Sequence, residues 1–475
     1  MAISTAIFNY SLKFNVIPSQ WKSALVIPIY KKGDRRKAGN YRPISLTSSF
    51  SRLFESVLME KMMSHIQEYN LISEHQFGFL PRRSSCSQLL FCVNKWLRSY
   101  CNSESMKVIY TDITKAFDSV CHRTLLETLY QLGFNEQVIS WLKNFLSNRQ
   151  QQVCINSSIS SSLPVISGVP QGSVIGPLLF ILFLNGITSC SQSDQVIMTL
   201  FADDSKMFSN NSDDLQLSMD LVSSWLSQHQ LALAPHKCSV LKIKKKEVTD
   251  DAEFSIGNHM VDEQSQVKDL GILVSSDMKW SGHINTICHK ASVKSYQILK
   301  SFKSKNIWTL WKLFLTYIRP QLEYNSPVWS PYAKGDIDRL ENIQRNFTKR
   351  AFERCNIPFK DYNDRMNKIN ILSLKNRREF LDQIFIYKLI NNFYDLKFSS
   401  FFSFKESFYF LRSHPLQISV NQDFTILQWT NSFFVRGPKC WNELPENIVR
   451  SRTLLNFKKL LKSHLLSRQQ APFSL

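Results

Sequence analysis

The chain is short of acid. Its 475 residues carry 38 Asp and Glu against 58 Lys and Arg, a formal charge of +20. A basic surplus of that size predicts a polyanionic partner whose affinity falls as salt rises, and the alternative is a merely solubilising surface. Paired cysteines are also missing: the ten Cys are scattered with no C-x-x-C, which leaves zinc ribbons and knuckles without support. No secretory leader opens the sequence, so the cysteines read as reduced and intracellular, with nucleus and cytoplasm undivided. Long apolar runs are absent too. The most apolar stretch, "SVIGPLLFILFLNGI" (173–187), is too short to span a bilayer and is interrupted by Pro177 and Asn185. No repeat or disordered tail is evident, and 34 Phe with 10 Trp argue for packed cores. The expectation is a soluble chain of two or three domains with no membrane partner.

What is present is an alternation of short strands and helices. "ALVIPIY" (24–30) and "NYRPISLT" (40–47) read as two strands joined by the basic turn "KKGDRRK", with a helix from about Ser51 to Tyr69. "MKVIYTDI" (106–113) is a strand ending at Asp112, "TLLETLYQLG" (124–133) a helix stopped by Gly133, and "NEQVISWLKNFLS" a helix capped by its Asn. "SGVPQGSVIGPLL" (167–179) is a Gly/Pro-punctuated loop feeding a helix that opens at Pro177. "QVIMTLFADDSKMF" (195–208) is a hairpin with two acids at its turn, and Ser212 is expected to cap the helix that follows, with Leu215, Met219, Val222 and Leu226 on one face. "CSVLKIK" and "VKDLGILV" look like further strands. From about residue 280 the pattern turns helical, and from about 360 it becomes basic and Phe-rich.

The adjacent acids Asp203 and Asp204 sit between apolar runs, where aspartate is a poor strand former. A hydrated turn is one explanation of such a pair. The other is a site for hard cations: Mg²⁺ takes one or two carboxylates with waters and phosphates, and two ions can activate an attacking 3′ oxygen and stabilise departing pyrophosphate. Asp112, at a strand end, supplies a third acid.

An ordered set of motifs separates these readings. "VIPIYKKGDRRKAGNYRPISLTSSFSRLFE" (26–55), "EHQFGFLPRRSSCSQLL" (74–90), "YTDITKAFDSVCHRTLL" (110–126), "GVPQGSVIGPLLFILFLNGI" (168–187), "FADDSKMF" (201–208), "HKCSVL" (236–241) and "VKDLGILVSSDMKW" (267–280) follow one another along the chain. Together they resemble the reverse transcriptase of non-LTR (LINE-type) retrotransposons, in the style of the jockey and CR1-like groups. "LEYNSPVWSP", "RLENIQRNFTKR" and "KCWNELPENIV" resemble the C-terminal region of the same family.

The resemblance implies an α/β right-hand polymerase with fingers and the start of the palm over 1–105, palm over 106–280, a helical thumb over 281–364 and a basic C-terminal region of unassigned role over 365–475. It implies RNA-directed DNA synthesis with two Mg²⁺ ions, replaceable by Mn²⁺, and with dNTPs, an RNA template and a DNA primer as partners. Asp112, Asp203 and Asp204 match the metal-binding and catalytic acids, and Lys237 a lysine that protonates pyrophosphate. Lys31 or Lys32, with Arg42, match cations on the triphosphate. Phe117 matches the aromatic gate against a ribose 2′-hydroxyl, and Gln171 and Gly172 the loop against the incoming nucleotide. Gln76, Arg82 and Arg83 match template contacts, and Leu270 and Gly271 lie in the stretch that supports the primer end. Asp118 and His122 read as local turn and helix-start residues.

Met1 falls just before the finger motif, so the expectation is a chain without the family's N-terminal endonuclease, either a truncated copy or one part of a longer reading frame, with an endonuclease in trans as one option. The rival readings are a catalytically silent nucleic-acid-binding remnant and a telomerase or group II intron enzyme; no RNA-binding or maturase domain of the latter kind is legible.

Overall fold

The computed structural model describes residues 2–470 apart from 192, 194, 406–413 and 421–422. The chain divides into two compact units. The first comprises Met1–Pro81, Lys107–Val240 and Asp251–Glu263; the second comprises Arg82–Met106, Leu241–Asp250 and Gln264–Leu475.

The first unit carries two larger sheets and the short hairpin of Ser255–Ile256 with His259–Met260. One sheet runs in the order Asp262–Glu263, Ser239–Ile243, Met106–Thr111, Asp204–Ser209, Ile197–Phe201. Met106–Thr111 is the β-branched, apolar segment the sequence marked, and all its residues but Tyr110 are buried, as befits a central strand. Its antiparallel register sets Thr111 opposite Ser205. One residue further on, Asp112 therefore comes level with the hairpin turn that joins Phe201 to Asp204.

Two helices cover this sheet for different reasons. Ser212–Gln228 is amphipathic, and its stripe of Leu215, Met219, Val222 and Leu226 is at most 1 % exposed. Its cap is Asn211, whose side chain accepts from the N–H groups of Asp213 and Asp214. Ser212, expected as the cap, is the first helical residue, because the Asn one position earlier reaches the same donors. Gly176–Leu184 is apolar all round, and every residue but Pro177 is buried, which makes it a core helix.

The second sheet pairs Ser23–Tyr30 antiparallel with Tyr41–Leu46 and parallel with Arg149–Ile155, which in turn pairs with Ser158–Ile159 and Leu163–Val165. The register Ile29↔Arg42 and Tyr30↔Tyr41 closes the hairpin whose basic turn begins at Lys31.

The second unit is mainly helical, with long helices at Ser85–Cys101, Ser281–Ser301, Lys334–Arg354, Leu374–Ile390 and Leu454–Gln470. Ser84 and Ser87 form a capping box at the first of these. Ile284, Ile287 and Ala291 are buried at helical spacing as the sequence pattern required. Gln266–Asp269 and Ile272–Ser275 form a separate two-stranded hairpin. Among the described residues no helix is long and apolar enough to cross a membrane.

Candidate active site

Asp112 leaves its strand and is at once held by a second segment. Its carbonyl oxygen accepts from Ala234 N–H at 2.8 Å, and Thr114 N–H donates to Ala232 O at 2.9 Å. This pairing carries the turn Pro235–Lys237 back over the strand end, and Lys237 Nζ lies 3.2 Å from Asp112 Oδ2. Both side chains are more than a third exposed (47 % and 39 %), so solvent screens the pair and its role is placement rather than stability.

Asp203 is the second residue of a two-residue hairpin loop. The first, Ala202, has φ +59°, while Asp203 does not have positive φ, the pattern of a II′ turn. Burial pushes the Asp203 carboxyl above the usual carboxylate range; its own backbone N–H opposes this, the Asp112 charge adds to it, and Lys31 and Arg42 draw it back down. One acid and two cations from three other stretches thus bear on the Asp203 carboxyl. A half-buried carboxylate beside a second one is the donor set a hard cation takes, with substrate phosphates completing its shell. Asp204 opens the next strand and is exposed. Among the described residues no group of three or more His, Cys, Asp or Glu side chains is already gathered as a metal site.

The Gln-Gly loop is fastened on three sides. Gln171 O accepts from Ser45 N–H at 2.7 Å, and a Cβ on Gly172 (φ +131°) would stand 2.2 Å from Ser45 O, so no other residue fits there. Gln171 Nε2 donates to Asp118 Oδ1 at 2.8 Å. The carbonyl of Gly168 meets His122 Nε2 at 2.8 Å, and Ser167 Oγ donates to Asp118 O at 2.9 Å. Asp118 and His122 therefore do more than start a turn and a helix: they staple the loop to the segment carrying Phe117.

Beneath the loop lies Glu55, fully buried. Its Oε2 accepts from Val174 N–H at 2.7 Å and Ile175 N–H at 3.3 Å, and its Oε1 accepts from Ser51 Oγ at 2.8 Å. These are the orphan donors where the Gly176–Leu184 helix begins. Arg149, 2 % exposed, has its guanidinium pushed down to about 10 by burial and is supported by the Glu55 charge. Sequence reading passed over Glu55, although an acid between Phe54 and Leu58 on a helix was a signal of a satisfied buried partner.

Phe117 is half-buried, stacked on Phe180 (centroids 4.1 Å, 17°) and edge-on to Phe79 (6.1 Å, 88°). Gln76 is 1 % exposed and lies under the surface; its Oε1 accepts from the N–H groups of Gly78 and Ala202. In the second unit, Arg82 and Arg83 both face Asp395, at 3.1 and 3.6 Å. Leu270 (φ +44°) and Gly271 (φ +89°) form the two-residue turn of the hairpin, with Leu270 O accepting from Tyr324 Oη at 3.1 Å. The segment "VKDLGILV" is thus two short strands and their turn.

Comparison with known proteins gives the family of the chain. Residues 29–274 match the model of the family described as "Reverse transcriptase (RNA-dependent DNA polymerase)". The chain is 27 % identical over 368 residues to "Probable RNA-directed DNA polymerase from transposon BS" of Drosophila melanogaster, covering 74 % of this chain and 40 % of that protein. It is 27 % identical over 360 residues to "RNA-directed DNA polymerase from mobile element jockey" of the same fly, covering 72 % and 39 %. Among solved structures, apo telomerase from Candida Tropicalis is similar with TM-score 0.44 and 11 % identity, covering 79 % of this chain and 67 % of that one. The chain spans about 40 % of the length of the curated relatives it matches. The matched region takes in Asp112, Asp203, the Gln-Gly loop and Lys237, and this chain belongs to the reverse transcriptase (RNA-dependent DNA polymerase) family.

Proposed function

We propose that the chain is the reverse transcriptase of a non-LTR retrotransposon: it extends a DNA primer 3′-hydroxyl with dNTPs on an RNA template. The observation that carries this reading is the strand register that brings Asp112 level with the hairpin turn bearing Asp203, with Lys237 Nζ 3.2 Å from Asp112. Asp112 and Asp203 would hold Mg²⁺, or Mn²⁺ in its place, which when bound lowers the cost of forming the attacking 3′ oxygen and balances charge on leaving pyrophosphate. Arg42 offers a planar fork to the triphosphate, and Lys31 or Lys32 a movable point charge. Lys237, tethered beside Asp112, is the candidate proton donor to pyrophosphate. Phe117, fixed by its stack on Phe180, is suited to exclude a 2′-hydroxyl, and Gln171 to face the nascent pair. Asp204, exposed at the start of the next strand, is the third candidate acid for the metal ions.

The fingers, palm and thumb divisions belong to this proposal, as do a nicked DNA end as primer and an endonuclease acting in trans. Arg82, Arg83, Leu270 and Gly271 remain the candidate template and primer contacts of the second unit. The test is primer extension by purified protein on an RNA template, with Asp203→Ala as control. Extension by the wild type and none by the variant supports the assignment; equal incorporation by both removes it.

A further inference from the structure

Residues 75–78 run as a strap beside the strand that leads into the acid-bearing turn. Leu200 N–H donates to His75 O at 2.9 Å, Phe77 N–H donates to Leu200 O at 2.8 Å, and Gln76 bridges Leu200 in parallel. The strap then turns its one buried amide toward the loop. Gln76 Oε1 accepts from Gly78 N–H at 2.8 Å and from Ala202 N–H at 3.1 Å. Both partners are donors, so the amide oxygen and not its nitrogen must face them.

Ala202 needs this help. Its φ of +59° is left-handed, a conformation that costs an alanine about 1–2 kcal/mol relative to ordinary backbone. A residue held there persists only where its surroundings over-determine it. The strap does so twice: Gln76 takes the Ala202 N–H, and Gly78 lies so close that a Cβ would stand 2.3 Å from Ala202 N.

We propose that Gln76 is a positioning residue for nucleotidyl transfer: it fixes the left-handed Ala202 and thereby aims the neighbouring Asp203, without touching template or nucleotide. This rests on the reading of Asp203 as a working acid. Gly78 serves the same end by letting the strap approach.

The experiment compares Gln76→Leu, Gln76→Glu and Gly78→Ala by primer-extension kinetics and by hydrogen exchange of residues 198–206. Gln76→Leu should lower kcat about 30–100-fold, the scale of a sub-ångström to 1 Å misplacement of a reacting group. The KM for dNTP and the Kd for RNA should stay within about 2-fold, since neither contact is removed. Gln76→Glu, which keeps an acceptor oxygen, should recover most of the loss, and Gly78→Ala should resemble Gln76→Leu. Amide protection of the turn should fall in Gln76→Leu and return in Gln76→Glu. Wild-type kcat in Gln76→Leu, or a Glu variant no better than Leu, overturns the proposal. Should Gln76→Leu not fold, Gly78→Ala decides it: a lowered kcat with reduced amide protection of the turn supports the proposal, and wild-type kcat overturns it. Should the wild type itself fail to extend, the polymerase reading falls, while the exchange data still decide whether Gln76 holds the turn.

Discussion

Replacing Glu55 by Ala tests the foundation of the Gln-Gly loop. The carboxylate is fully buried and makes one strong bond, to Val174 N–H at 2.7 Å, and one long one, to Ile175 N–H at 3.3 Å. A charge-assisted bond contributes about 1.5–3 kcal/mol, and a long, poorly placed one about 1 kcal/mol or less. Truncation also leaves the Ser51 hydroxyl without its acceptor and removes the acid that supports the buried Arg149 charge. The first unit should therefore lose about 3–5 kcal/mol, the scale of removing one side of a buried charge pair. Glu55→Gln keeps an oxygen for Val174 and should lose about 1–2 kcal/mol, mainly the charge assistance. Because the chain has two units, a single melting temperature would mix their transitions. The assay is urea unfolding read by hydrogen exchange within 172–184, paired with dNTP kinetics. A loosened loop should raise the KM for dNTP more than it lowers kcat. An Ala variant within about 1 kcal/mol of wild type, with unchanged KM, would refute the idea that Glu55 holds the loop.

Three further outcomes are expected. Asp203→Asn should stop primer extension yet stabilise the first unit at neutral pH: the folded carboxyl is raised above its unfolded value, so ionising it costs stability as pH climbs from the ordinary carboxylate range through the raised value. Equal or lower stability of the Asn variant at pH 7 would contradict this. His283, 4 % exposed and accepting from Leu273 N–H through Nδ1, is pushed down to about 4 by burial, with Lys290 adding to the effect. The unfolded chain takes up this proton first, so the second unit should lose about 3 kcal/mol as pH falls from the ordinary histidine value to about 4, and His283→Gln should flatten that slope in urea titrations; an unchanged slope would exclude His283 as its source. Phe117→Ala should relax discrimination against ribonucleotides in competition assays, and unchanged dNTP/rNTP selectivity would confine the ring to its stack on Phe180.

Local pattern alone determined much of this protein. The strand ending at Asp112, the hairpin around Ala202–Asp203, the apolar helix opening at Pro177 and the stripe from Leu215 to Leu226 all follow from period, caps and turn residues. The ordered motifs likewise made the family legible. What sequence could not decide is which distant groups meet. It named three acids, but that Asp112 comes level with the turn is set by the register of two strands. It set Gln76 among the template contacts and offered no sign that its side chain is buried and accepts from Ala202 N–H. It gave Asp118 and Glu55 no task, because a carboxylate's partners there are backbone and amide donors from 53 and about 120 positions away. Short-range preference acts within a few residues and so can be read along the chain. Long-range hydrogen bonds and charge coupling depend on how strands register and cross, and only the folded chain brings those groups together.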